Sequence, residues 1–111
     1  MIIENEKSDC AQSIAFGLHR TANWRDKIFE RYSDQRAVWA AGALRKLADD
    51  VPNLTDESWE KLKPHYDYGS ERWREAISTA ARQVGFCHKS KSFPFFLKNL
   101  IGALSQPAAV N

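Results

Sequence analysis

Apolar residues along this chain recur at helical spacing, and nowhere do they alternate with the period of two that a strand needs. The cleanest pattern lies between Ser70 and Leu104. Trp73, Ala76, Ile77, Ala80, Ala81 and Val84 form one stripe at i, i+3, i+4, i+7, i+8 and i+11. Ser70 is the expected N-cap, Glu71 suits the positive end of the helix dipole, and Gly85 is the expected left-handed stop. Phe86 would then pack back on Ala81. A second stripe, Phe93, Phe96, Leu97, Leu100, Ile101 and Leu104, opens on Pro94 in its first turn. It is expected to be the most buried helix. Between the two lies a basic elbow, Gly85-Phe86-Cys87-His88-Lys89-Ser90-Lys91.

The first seventy residues carry weaker versions of the same pattern. Residues 1–8 read as a loose arm. Asp9 with Gln12 resembles a capping pair, and Ala11, Ile14, Ala15 and Leu18 predict a helix ending near Arg20. Thr21 is then placed as the cap of a second helix to about Tyr32, with Trp24, Ile28 and Phe29 inward. Ser33 or Asp34 caps a third, whose stripe is Val38, Ala41, Leu44, Leu47, Ala48 and Val51, with Trp39 on its flank. Pro52-Asn53 stops it. Gly42 inside it costs about 1 kcal/mol relative to alanine, which a close helix crossing would explain. Thr55 begins a fourth helix with Trp59 and Leu62 inward, and Pro64 ends it. The loop His65-Tyr66-Asp67-Tyr68-Gly69 leads to Ser70. The expected fold is all-α: a compact globular bundle of five or six helices with short loops, one domain over 9–104, and a disordered tail over 105–111.

Composition changes this picture little. The chain has 111 residues, 43% apolar and 27% charged, which is ordinary for a globular protein large enough to bury a core. No apolar run approaches the roughly 20 residues of a membrane span. The acidic opening, Met1 to Glu6, lacks the apolar core of a signal peptide. Two cysteines, Cys10 and Cys87, are too few for a disulfide scaffold, so reduced thiols and a cytoplasmic location are expected, with a Cys10–Cys87 bridge left open.

Charge is uneven although the net is only +2. Arg72, Arg74, Arg82, Lys89, Lys91 and Lys98 stand against Glu71 and Glu75 in the Ser70–Leu104 stretch, while the remainder is net acidic. Such a field can meet an anionic partner or simply be solvated.

Chemical motifs are absent. Cys10, His19, His65, Cys87 and His88 have no metal-ligand spacing. The five glycines stand singly and build no phosphate cradle, and no serine sits in a nucleophile elbow. Glu71 and Glu75 share a helix face but are flanked by arginines and read as solvated. No catalytic residue, metal or cofactor is assigned.

Two binding readings remain. Tyr66, Tyr68 and Trp73, beside Arg72 and Arg74, make a candidate protein-contact surface, because Tyr and Trp combine large contact area with a polar handle. The expected function is therefore a non-enzymatic accessory or regulatory factor with an unknown protein partner, a homodimer being left open and a membrane not expected. The second reading starts from Val84-Gly85-Phe86, then Ser90, Phe96 and Lys98, with Pro107 downstream. This stretch resembles the second helix-turn-helix of AraC-type transcription regulators, over about a quarter of the chain. The resemblance implies a recognition helix in a DNA major groove, with Arg82, His88, Lys89 and Lys91 on phosphates. The chain departs from that pattern in three ways. The spacing after Phe86 is one residue longer, Pro94 falls where the recognition helix should run, and the first helix-turn-helix is missing.

Overall fold

One helix organises the molecule. In the computed structural model, which describes residues 4–67, 70–84 and 93–105, helix α1 runs without a break from Glu4 to Tyr32. Its 29 residues span about 43 Å at 1.5 Å per residue, close to the longest dimension of the molecule, 48 Å. After it come α2 (Gln35–Asp50), α3 (Asp56–Leu62), α4 (Glu71–Arg82) and α5 (Phe93–Ser105). Single 3-10 turns, Val51–Asn53 and Lys63–His65, follow α2 and α3. The described residues thus form an all-α bundle of five helices with no strand. The radius of gyration is 14.1 Å, against about 13 Å expected for a folded chain of this length.

The continuity of α1 corrects the expected pair of helices meeting at Arg20–Thr21. Thr21 is not a cap. Its Oγ1 donates to the carbonyl of Gly17 at 3.0 Å, so the hydroxyl is satisfied inside the helix, and the residue is buried. The inward stripe Cys10, Ile14, Leu18 and Ala22 passes straight through this point. At the other end, residues 4–8 are helical rather than part of a loose arm, and Lys7 Nζ reaches Asp56 Oδ1 of α3 at 2.7 Å.

The remaining caps follow the sequence. Asp34, not Ser33, caps α2, accepting from the Arg36 amide at 3.0 Å. Ser33 instead takes a left-handed backbone, φ 54°, and its amide donates to the Phe29 carbonyl, which closes a two-residue hairpin. Thr55 caps α3 through the Ser58 amide and Ser70 caps α4 through the Trp73 amide. Pro94 falls in the first turn of α5 as expected. Gly85 and its contact through Phe86 lie outside the described residues.

Packing places α1 between α2 and α4, with α5 laid on α4. Helix α4 runs parallel to α1. Trp73 Nε1 donates to Ser13 Oγ at 2.8 Å near its start, and the Arg82 carbonyl at its end accepts from Arg25 Nη2 at 2.8 Å. Between these points Ile77 lies against Gly17 so closely that an added Cβ there would overlap Ile77 Cγ2. The close crossing is therefore at Gly17. Gly42, where the sequence reading placed one, faces open space. The core collects Ile14, Leu18, Leu44, Leu47, Leu62, Trp73, Ile77, Phe96 and Leu100, all buried. Helix α5 buries one stripe, Phe96, Leu97, Leu100 and Leu104, and exposes Pro94, Lys98 and Gly102, so it is amphipathic and not the most enclosed helix.

Candidate functional site

The residues singled out from the sequence do not share one surface. Trp73 is 1% exposed. Its position on the inward stripe of α4 makes it a core residue, which corrects its place in the expected contact surface. The Ser13 hydroxyl that receives its indole N–H donates in turn to the Cys10 carbonyl at 2.7 Å. Tyr66 is half-buried between two tryptophans, edge-on to Trp59 at 6.0 Å and to Trp73 at 5.1 Å. Such edge-to-face contacts add about 0.5–1.5 kcal/mol each beyond burial. The tyrosine thus seals one end of the core.

Arg72 and Arg74 are on the exposed side of α4. Arg72 Nη2 donates to the Leu104 carbonyl at 2.7 Å, a cation at the negative end of α5. Arg82 is exposed too, at the far end of the same helix, about 15 Å along the axis from Arg72. Tyr68, His88, Lys89 and Lys91 lie outside the described residues, as does Cys87. Cys10 is a free, fully buried thiol, and burial pushes its pKa up to about 12. Among the described residues no three His, Cys, Asp or Glu side chains gather into a metal-binding group, and no helix is long and apolar enough to cross a membrane.

The structure draws attention to a different surface. Ser13 and Gly17 mark the face of α1 that α4 covers. The same face continues upward through Arg20, Trp24, Lys27, Ile28 and Arg31, by the helical steps i, i+4, i+7, i+8 and i+11. Helix α4 ends at Arg82, level with Arg25, and none of the other described helices takes its place. Trp24 is consequently 45% exposed, and Ile28 only half-buried. A shallow groove of about 560 Å³ lies here, lined by Trp24, Lys27, Ile28, Glu30 and Arg31. Arg25 stacks over the Trp24 ring, 5.0 Å from its centroid. Phe29 and Tyr32, at the hairpin tip, are 36% and 65% exposed. The expectation that Trp24 and Phe29 turn inward is therefore corrected: among the described residues the stripe outruns the helices packed on it.

Splitting α1 at Thr21 hid this surface. Read as one helix, residues 4–32 put a tryptophan, an isoleucine and three cations on a single stripe.

Other concavities are smaller or differently placed. A groove of about 410 Å³ runs between the start of α1 and the 3-10 turn, along Ala11, Ala15, Val51 and Leu54. Another, of about 690 Å³, separates the outer side of α2 from Phe93 and Pro94 of α5. The first is bordered by Lys7 and Ser8, and the second by Lys46 and Asp50, one helical turn apart on α2.

No protein-family model matches the chain, and neither a curated protein nor a solved structure matches it.

Proposed function

We propose that this protein is a non-enzymatic accessory or regulatory factor of the cytoplasm that acts by binding another protein. The reading is carried by the face of α1 above the end of α4, where Trp24 is exposed, Ile28 is half-buried beside it, and Arg20, Lys27 and Arg31 stand around them. An exposed tryptophan with an aliphatic neighbour supplies the apolar anchor of a contact. The three cations favour an acidic partner, and an amphipathic helix with one acidic edge fits a shallow groove along α1. The buried free thiol of Cys10 agrees with a reducing compartment.

The test uses a photoreactive residue in place of Trp24, with Arg74 as a control position on α4, in cells that make the protein. A single protein adduct formed at position 24 and absent at position 74 supports the reading. Equal adducts, or none at position 24, sink it. A nucleic acid would instead engage the cationic stretch after Arg82. Helix α5, which follows, carries Lys98 as its only cation, so it offers few donors to a groove. Titration of labelled duplex DNA at low and at physiological salt separates the two, since phosphate binding weakens steeply with salt.

A further inference from the structure

The outer side of α2 carries a feature that the described residues of the monomer do not account for. Trp39 is 61% exposed there. Three residues on, Gly42 interrupts a helix that glycine weakens, yet an added Cβ would meet nothing within 4 Å. Among the described residues no close approach requires that glycine. A second backbone lying across it would. Trp39, Gly42, Ala43, Lys46 and Asp50 follow each other at helical steps along one stripe, which borders the groove of about 690 Å³ reaching Phe93 and Pro94.

We propose that this stripe is the interface of a symmetric dimer, in which α2 of one copy crosses α2 of a second, antiparallel, over Gly42 and Ala43. The occupant is chosen by charge. A two-fold axis between residues 42 and 43 sets Trp39 opposite the second copy's Lys46, an ammonium over an indole face. The same axis sets Asp50 opposite Gln35 of the second copy, whose amide can donate to it, while Arg36 stays with its own Asp34. Gly42 faces Ala43 of the other helix, so the backbones can come together at the crossing. A parallel pairing would instead oppose Lys46 to Lys46 and Asp50 to Asp50, placing like charges in contact. The stripe is self-complementary in one direction only. The interface is also isologous and therefore closed, which ends assembly at two copies. It lies on a different helix from the stripe around Trp24, so it stands apart from the function proposed above.

Sedimentation of the full chain over a concentration range up to about 1 mM tests this, because weak symmetric contacts have dissociation constants from micromolar upward. The wild type is expected to pass from a 12.7 kDa monomer to a dimer. Gly42→Leu blocks the crossing with a side chain whose Cβ meets no described atom of the monomer within 4 Å. It should keep its helical circular dichroism and unfold no earlier than the wild type at dilute concentration, since leucine favours a helix over glycine, while weakening dimerisation by at least about tenfold, which is about 1.4 kcal/mol. Trp39→Ala should do the same. Lys46→Glu should weaken the dimer by taking the ammonium away from the second copy's Trp39. A wild type that stays monomeric throughout overturns the proposal. So does a dimer indifferent to Gly42→Leu and Trp39→Ala, which would use another face.

Discussion

A methyl group added at Gly17 would overlap Cγ2 of Ile77, and Ile77 has little freedom to yield. It is 2% exposed and β-branched, so its χ1 is confined by the helix as well as by its neighbours. Gly17→Ala should therefore destabilise the fold. Overpacking of about 1–3 kcal/mol outweighs the helix-propensity gain of up to about 1 kcal/mol. Gly42→Ala, in open space on α2, should show the propensity gain alone and stabilise by about 0.5–1 kcal/mol. Urea unfolding of the two variants at dilute concentration checks the pair, and changes of the same sign would contradict the packing described. Trp73 makes a sharper case. Its ring is buried, touches Tyr66 edge-on and anchors Ser13. Trp73→Ala should cost about 3–5 kcal/mol, the range for truncating a large buried aromatic. A loss below about 1 kcal/mol in the same unfolding experiment would show that the ring is not part of the core.

At the scale of helices, the caps and the stripes were legible and one boundary was not. Thr55 and Ser70 cap the helices that their positions announced, and of the two candidates for α2, Ser33 and Asp34, it is Asp34 that accepts from the free amide of the first turn. The Ala76, Ile77, Ala80 and Ala81 stripe is buried as read. The break at Thr21 failed because threonine has two uses, a cap or a bond back to the carbonyl four residues earlier, and only the packed neighbours decide between them. The surface around Trp24 was lost with it. An aromatic on a continuing stripe looks buried until the length of the covering helix is known, and that length is a tertiary fact. The Asp34 cap carries a prediction of its own. Hydrogen bonds and charge from Arg36, whose guanidinium grips both carboxylate oxygens, hold its pKa below the usual carboxylate value. Between the folded and unfolded pKa values the folded state binds fewer protons, so stability is present above about pH 4 and falls as pH drops through the depressed value. Asp34→Asn keeps a capping oxygen but does not titrate. Its acid limb should be shallower than that of the wild type, with Asp56, depressed by Lys7, supplying part of what remains. Identical acid limbs in thermal melts from pH 6 to pH 2.5 would remove Asp34 from this role.

For the molecule as a whole, the buried side chains of all five helices join one cluster, with α1 as the element that α2, α4 and the 51–53 turn all touch. A single cluster threaded by one long helix should open as a unit, without a separately melting half. Cys10 reports on this directly. It sits on the inward stripe of α1, wholly buried, in the same cluster as Val51 of the turn and Leu104 of α5. Burial that pushes its thiol up to about 12 leaves almost no thiolate at pH 8, and thiolate is the form that reacts. In a Cys87→Ser background, which leaves one thiol, alkylation by iodoacetamide at pH 8 should be at least about a thousandfold slower in the native protein than in urea. Labelling followed by mass should rise over the same urea range as the change in tryptophan fluorescence, since Trp59 and Trp73 belong to the same cluster. Coincident curves mean that α1 leaves the core only when the core dissolves. Labelling that begins at lower urea than the fluorescence change would mean that the first half of α1 detaches alone. The cluster would then be two units, held together at Gly17 and Ile77 more loosely than their close approach implies.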